Sequence, residues 1–551
     1  MNDQIKELEP VLAQYASGGI SRRVFMVRAS LVGLGTIAAG TLLAGCAPET
    51  KNSGAAGKPI SGGTFREGYD RDFSPPDPVQ NAWADPDFNA FFEALVIRDP
   101  DGNLVPGLAK SFSSGANGWE FELRDGLTFH SGVALTATVV VENFELFRDP
   151  KLGQNAGFWS PIKSIKADGQ KIVCETDGPF GAFQETISTE YSYILNPAAR
   201  KAAGDNWGST VIDGTGPFEL KSFNPGDRVV AKRWEKYPGS VTPFFSNKGK
   251  AYLDGIEWVA ITQASQRAPE IETGNVDAIK NPPPQDIEQL KGNPDLVVQE
   301  FREISNFFLS LNMSRTELGF DDVAVRQAIS YAIDRESIVK SIFLGHAVAT
   351  YGPVIPGHKW YNPAVEKFNK YDVKKSDSLF ESAGWVKGSD GVRAKNGQRL
   401  AFEIFNLTST TENQVMQAIA QMLGKVGVEL TVTSLQGAAF FPKLATTTTA
   451  FGFKWLWSSP IDVIEIFGTA WQPENGATTK SHELYSVWQT AETTEQLKAA
   501  VQDYQAFHAE ELLVIPIFTP NTIWVNRKNV IGWSPNQVNL YPFYNDVWMS
   551  K

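Results

Sequence analysis

The period of the hydrophobic positions changes along this chain. Trp119, Phe121 and Leu123 alternate with Glu120 and Glu122, the period-2 pattern of a half-buried strand. Lys171-Ile172-Val173-Cys174-Glu175-Thr176 reads as another strand. Turn signals crowd the same region: Pro75-Pro76, Asp77-Pro78, Asp99-Pro100-Asp101-Gly102, Asn117-Gly118 and Asp125-Gly126. Past residue 320 the period lengthens. Asp322 stands as a cap before Val325, Ala328, Ile329, Ala332 and Ile333, which share one helical face. Ile338, Val339, Ile342 and Phe343 form a second stripe, with Gly345 as its expected stop. Leu400–Phe405, Glu412–Val426 and Val428–Thr433 then read strand, helix, strand, the βαβ order of an α/β domain.

The N-terminus follows neither pattern. Ser21-Arg22-Arg23-Val24-Phe25-Met26 precedes a largely apolar run from Leu31 to Ala44, closed by Leu43-Ala44-Gly45-Cys46. A basic stretch, a moderate apolar core and small closing residues make a secretory signal, and the arginine pair points to the twin-arginine route. The run is shorter than the ~20 apolar residues of a bilayer span and carries Gly33, Gly35 and Gly40. Its ending has the form of a lipobox, so residues 1–45 are expected to be removed and Cys46 to carry lipid. Residues 46–61, rich in Pro, Gly, Ser, Lys and Ala, read as a flexible tether. The protein is expected outside the cytoplasm, in the periplasm or on the outer face of the cell membrane, held by its lipid anchor alone.

Removal of 45 of the 551 residues leaves 506, too many for one hydrophobic core, so two or three domains are expected. The formal charge of −12 argues against nucleic acid as a partner. With Cys46 lipidated, Cys174 has no partner and reads as a buried, inert thiol.

Chemical motifs are mostly missing. His130, His346, His358, His482 and His508 never stand at i, i+3 or i+4, and no cysteine accompanies them. No G-x-S-x-G elbow, Walker A loop or dinucleotide fingerprint occurs. Gly214-Thr215-Gly216 precedes Pro217 and reads as a turn. No metal, cofactor or catalytic residue is therefore expected, and the balance moves from enzyme to binding protein. Trp455 and Trp457, two apart in Phe451-Gly452-Phe453-Lys454-Trp455-Leu456-Trp457-Ser458-Ser459-Pro460, would share one face of a strand. Paired rings of this kind form either core or the floor of a ligand cleft.

Several runs resemble the extracytoplasmic solute-binding proteins of peptide- and nickel-type ABC importers, solute-binding protein family 5. Phe92-Glu93-Ala94-Leu95-Val96 and Pro106-Gly107-Leu108-Ala109-Lys110-Ser111-Phe112 open the series. Trp119 to Gly132, ending Phe129-His130-Ser131-Gly132, is its most specific member. Gly214-Thr215-Gly216-Pro217-Phe218, Thr273-Gly274-Asn275-Val276-Asp277, Val325-Arg326-Gln327-Ala328-Ile329, Ala332-Ile333-Asp334-Arg335, Glu381-x-Ala383-Gly384-Trp385 and Ile515-Pro516-Ile517-Phe518 follow in order. The resemblance spans essentially the whole chain after the signal.

It implies an α/β, two-lobed periplasmic-binding-protein-like fold of type II, with a hinge and an extra β-rich subdomain in the first lobe. Residues 62–303 plus 519–551 would form the first lobe and 304–518 the second. It implies a monomer that is not an enzyme, holds a peptide-like or other small polar solute between its lobes, and passes it to a cognate ABC permease. Oligosaccharide, opine and metal-chelate binders share the fold, and a hydrolase on the same frame is the alternative from another class. The resemblance places Trp455, Trp457, Ser458, Ser459 and Asp462 at the ligand. One departure bears on the solute. Peptide-binding members carry G-W-x-x-D-Y after the second-lobe strand, and its aspartate meets the peptide ammonium; Pro460 occupies that place here, with Asp462 two residues on. A buried ammonium without a counter-charge is costly, so an ordinary dipeptide is not expected.

Overall fold

Twelve strands join into one sheet that runs through most of the molecule. The computed structural model describes residues 58–551 apart from 82–84, 437–438, 441–442, 444–449, 457–464, 466–468, 470–471, 537 and 540. In chain order the strands are β1 (Thr64–Tyr69), β2 (Phe218–Asn224), β3 (Arg228–Arg233), β4 (Gly255–Ala260), β5 (Ala278–Lys280), β6 (Leu296–Arg302), β7 (Ser305–Ser310), β8 (Ala347–Ala349), β9 (Ala401–Leu407), β10 (Glu429–Leu435), β11 (Ala450–Leu456) and β12 (Ile515–Arg527). The spatial order is β10-β9-β11-β7-β12-β5-β1-β4-β3-β2, with β6 and β8 also paired to β12. Strands β1, β4 and β5 run parallel, as do β9, β10 and β11.

The two parallel sets belong to the two lobes of a type II fold, and β12 joins them. Residues Ile515–Pro520 pair with β7 and β8; Asn521–Arg527 pair with β6, and Trp524–Asn526 also with β5. A 13-residue strand shared this way carries the backbone ladder from one lobe into the other. A separate antiparallel sheet, Ala109–Gly115, Gly118–Leu123, Lys171–Thr176 and Ile162–Asp168, forms the β-rich part of the first lobe. Trp119, Phe121 and Leu123 face its core, as their alternation requires. Cys174 is fully buried there, and burial pushes its thiol up to about 12.

Helices cover the outer faces: α1 (Ala137–Arg148), α2 (Ala264–Glu272), α3 (Val323–Tyr331), α4 (Arg335–Ile342), α5 (Val373–Ser382), α6 (Thr410–Lys425), α7 (Gly476–Gln489) and α8 (Thr494–Glu511). Asp322 caps α3 by accepting from Ala324 N–H, and Asp334 caps α4 by accepting from Ser337 N–H. Val325, Ala328, Ile329, Ile338 and Val339 enter the core with Ile404, Val415 and Ile419. The stop of α4 comes earlier than Gly345 would place it: Phe343 is the C-cap, and Leu344 already has φ 53°. Likewise α6 begins at Thr410, two residues before the apolar pattern, because Ser409 caps it by accepting from Glu412 N–H.

Two runs distant in sequence meet in the first lobe. Gly214 N–H donates to His130 Nδ1 at 3.2 Å, so His130 carries its proton on Nε2 and donates to Gly216 O at 2.9 Å. A Cβ on Gly214 would sit 2.1 Å from Phe91 O, and one on Gly216 would sit 2.3 Å from Ala90 O. The Gly-Thr-Gly turn is thus glycine by close backbone approach, with no role in holding phosphate. His130 is structural, and burial lowers its pKa.

Candidate functional site

The carboxyl ends of both parallel sets open on one cavity of about 490 Å³, within the range of small-molecule sites. In the first lobe, α2 begins beyond the end of β4 and brings Gln263, Ser265 and Arg267 to the wall; Asn281 follows β5. In the second, the turn after β9 brings Ser409 to Glu412, and β11 brings Lys454. Glu303, between β6 and β7, and Pro520, Asn521 and Ile523 of β12 line it where the lobes join.

Asn281 makes the turn out of β5 with φ 51°, a left-handed conformation that asparagine tolerates. Its amide donates to Asp70 Oδ2 at 2.7 Å, and its side-chain oxygen accepts from Ile523 N–H at 3.1 Å. Arg267 donates to Asn281 O at 2.8 Å and to Ile261 O at 2.9 Å. Behind this wall Lys280 is buried. Its Nζ donates to Tyr69 Oη at 3.0 Å and sits 5.0–5.3 Å from the ring centres of Tyr69, Trp524 and Tyr541.

Charges alternate across the lobes. Lys454 Nζ donates to Glu303 Oε2 at 3.0 Å, and Ser305 Oγ donates to the same oxygen at 2.6 Å. Burial alone would raise the Glu303 carboxyl, but Lys454, Lys280 and Ser305 outweigh it and hold the group below the ordinary carboxylate range. Asp70 follows the same logic: burial opposes its charge, and Lys280, Arg71 and Arg267 prevail. Burial would lower Lys454, yet Glu303 and Glu412 raise it. In Lys280 burial wins over Asp70 and Glu303, and its pKa falls. Glu412 stands apart. Burial pushes its carboxyl up to about 7, against the pull of Lys454 and with a push from Glu303, and its Oε2 is buried with no hydrogen-bond partner among the described residues.

Among the residues expected at the ligand, Trp455 has its backbone in β11, opposite Asn306. Trp457, Ser458, Ser459 and Asp462 lie outside the described residues, as does Cys46. Their neighbour Lys454, with Glu303, Glu412, Asp70 and Lys280, was not singled out by the sequence pattern. One signal was present: Lys454 is the lone charge in the otherwise apolar run Phe451–Trp457.

No group of three or more His, Cys, Asp or Glu side chains able to hold a metal occurs among the described residues. One serine–histidine contact bears on the hydrolase alternative. Ser481 Oγ lies 2.9 Å from His508 Nε2, but the serine donates to Glu465 Oε2 at 2.8 Å. The carboxylate thus holds the serine, His508 Nδ1 has no hydrogen-bond partner among the described residues, and both side chains are buried in the second lobe. A general base needs the reverse order and an open face. Among the described residues no helix is long and apolar enough to cross a membrane.

Comparison with known proteins gives a consistent picture. The model of the bacterial extracellular solute-binding proteins, family 5 (middle), matches residues 103–478. The glutathione-binding protein GsiB of an Escherichia coli strain is 27% identical over 412 residues, 74% of each chain. The oligopeptide-binding protein AppA of Bacillus subtilis, solved with a nonapeptide, superposes with a TM-score of 0.76 at 21% identity, over 90% of this chain and 100% of that one. DppA of Helicobacter pylori, solved with the peptide STSA, gives 0.75 at 21% identity over 89% and 99%. NikA of Brucella suis, solved with Fe(III)-EDTA, gives 0.75 at 18% identity over 89% and 100%. At these identities the solved structures speak for the fold, and their ligands range from peptides to a metal chelate.

Proposed function

Because this chain belongs to the bacterial extracellular solute-binding proteins of family 5, we propose that it is the substrate-capturing lipoprotein of an ABC importer, closing on a peptide-like solute and delivering it to the permease. The observation that carries the reading is the cavity wall itself. Arg267 of the first lobe, Glu303 at the lobe junction, and Lys454 and Glu412 of the second lobe set both signs of charge around one space, with Asp70 and Lys280 behind the wall. A charged solute is matched by such a wall, whereas an uncharged sugar leaves the Glu412 carboxyl unmet. The kinship to a glutathione-binding protein points the same way. Native mass spectrometry of protein purified from its own host tests this. A co-purified amide-containing zwitterion is the expected result; a neutral oligosaccharide or a metal chelate in its place would overturn it.

The lobes divide in this reading near Glu303/Ile304 and Phe518/Thr519. The two crossings lie side by side: Glu303 N–H donates to Pro520 O at 3.1 Å, and Thr519 Oγ1 donates to Glu303 O at 3.1 Å. Trp455, Trp457, Ser458, Ser459 and Asp462 remain the proposed contacts beyond Lys454. Trp457→Ala is expected to weaken solute binding at least tenfold with an unchanged melting temperature, since a core tryptophan would instead cost roughly 3–5 kcal/mol of stability. Calorimetric melting beside titration separates the two.

Anchoring is proposed through Cys46. Cys46→Ala is expected to move the protein from the membrane to the soluble fraction, because the lipid supplies the whole attachment. Replacement of Arg22 and Arg23 by lysine is expected to block export. Unchanged partition, or unchanged export, in cell fractionation would count against each part in turn.

A further inference from the structure

We propose that Glu412 is where this cavity receives a cationic group of its solute, an ammonium or a guanidinium. The inference rests on the reading of a peptide-like solute and specifies which end of it meets which wall.

Ser409-Thr410-Thr411-Glu412 has the spacing of a capping box, in which the glutamate would fold back onto the N–H of the capping residue. Only half of that box forms. Ser409 Oγ accepts from Glu412 N–H at 3.5 Å, and Glu412 does not return the bond. Its side chain instead lines the cavity, with Oε2 buried and without a partner among the described residues.

The other carboxylates at the wall and behind it are already engaged. Glu303 accepts from Lys454 and Ser305, and Asp70 accepts from Asn281 and lies beside Lys280, Arg71 and Arg267. Leaving a carboxylate oxygen buried and unmet is costly, and a solute cation meets that need where a protein donor does not. The charged groups acting on it are Lys454 from β11 and Glu303 from the lobe junction. Arg267 from α2 and His346 from the turn before β8 line the same cavity, but Arg267 donates to Asn281 O and Ile261 O, and His346 pairs with Glu300.

A consequence separates this role from a structural one. Burial raises the empty carboxyl to about 7, so near that pH part of the population is protonated. A cation arriving at Oε2 favours the ionised form, and the proton passes to solvent: one O–H bond breaks and one charge-assisted hydrogen bond forms.

The test is calorimetric titration of the mature chain at pH 7 with four probes: glutathione, N-acetylglutathione, trialanine and N-acetyltrialanine. Wild type is expected to bind a free amine at least tenfold more tightly than its acetylated partner. Titration in two buffers of different ionisation heat should show a fraction of a proton released. Glu412→Gln should bring each pair within twofold and abolish the release, without lowering the melting temperature; Glu412→Asp should keep part of the preference. An amine preference or proton release that survives in Glu412→Gln overturns the inference alone, as does wild type binding both members of each pair equally. Wild type binding none of the four overturns the peptide-like reading and the inference with it.

Discussion

Arg335→Ala is expected to unfold the second lobe at physiological temperature. Arg335 is 1% exposed, yet among the described residues no carboxylate pairs with it. Its guanidinium is spent on backbone: Nε donates to Pro516 O at 2.8 Å, and Nη1 to Ser330 O at 3.0 Å and Asn369 O at 3.2 Å. Nη2 donates to Ser330 Oγ at 2.7 Å. One planar group thus ties the end of α3 and the segment at Asn369 to β12. Burial pushes its pKa down to about 10, so it stays charged at pH 7. Truncation leaves several buried acceptors unmet and a cavity beside them, a loss of about 5 kcal/mol or more. Arg335→Lys is expected to recover less than half, because one ammonium does not span three directions. Denaturant unfolding measures both, and a loss under 1 kcal/mol for Arg335→Ala would refute this account.

Arg335 also shows what made much of the fold legible. It stands in Ala332-Ile333-Asp334-Arg335, where the apolar stripe, the capping aspartate and the buried arginine act within a few residues of one another. Local periodicity and capping chemistry are written in consecutive positions, so α3, α4 and the β9-α6-β10 unit came within a few residues of their observed bounds. The Phe-His-Ser-Gly and Gly-Thr-Gly-Pro runs were readable as motifs, but not the reason for them. That reason is a contact between positions 84 apart, in which Gly214 N–H meets the His130 ring.

The cavity wall was far less legible, for a physical reason. Glu303 and Lys454 are 151 residues apart and become a pair only because β7 and β11 are neighbours in the sheet. Glu412 was hidden differently. Its S-x-x-E context is an ordinary helix start, and nothing in the pattern says that the box closes on one side only. The tryptophans of the 455–457 run drew attention because large rings are rare and conspicuous, while the single lysine just before them was given no role.

Lys454→Met is expected to produce the largest effect at the site itself. The side chain of Glu303 is only 4% exposed, and that of Lys454 28%. Removing the ammonium leaves a buried carboxylate with Ser305 and the more distant Lys280, at a cost of about 3 kcal/mol. Solute affinity should fall at least tenfold, because the wall loses the cation that faces the cavity. The pH dependence gives the sign. In wild type the Glu303 pKa lies below its unfolded value, so its contribution is present at neutral pH and is lost as pH falls through the folded pKa. Without Lys454 burial dominates, the folded pKa rises above the unfolded one, and the variant should gain stability relative to wild type as pH drops from 7 to 5. Lys454→Met combined with Glu303→Gln removes both charges together. It should recover most of the lost stability at pH 7 while leaving affinity low, since a neutral pair has nothing to offer an ionic solute. Urea unfolding at the two pH values, beside titration with the co-purified solute, reads all three expectations. A single variant as stable as wild type and equally tight would mean that the Glu303–Lys454 pair neither holds the lobes nor meets the solute.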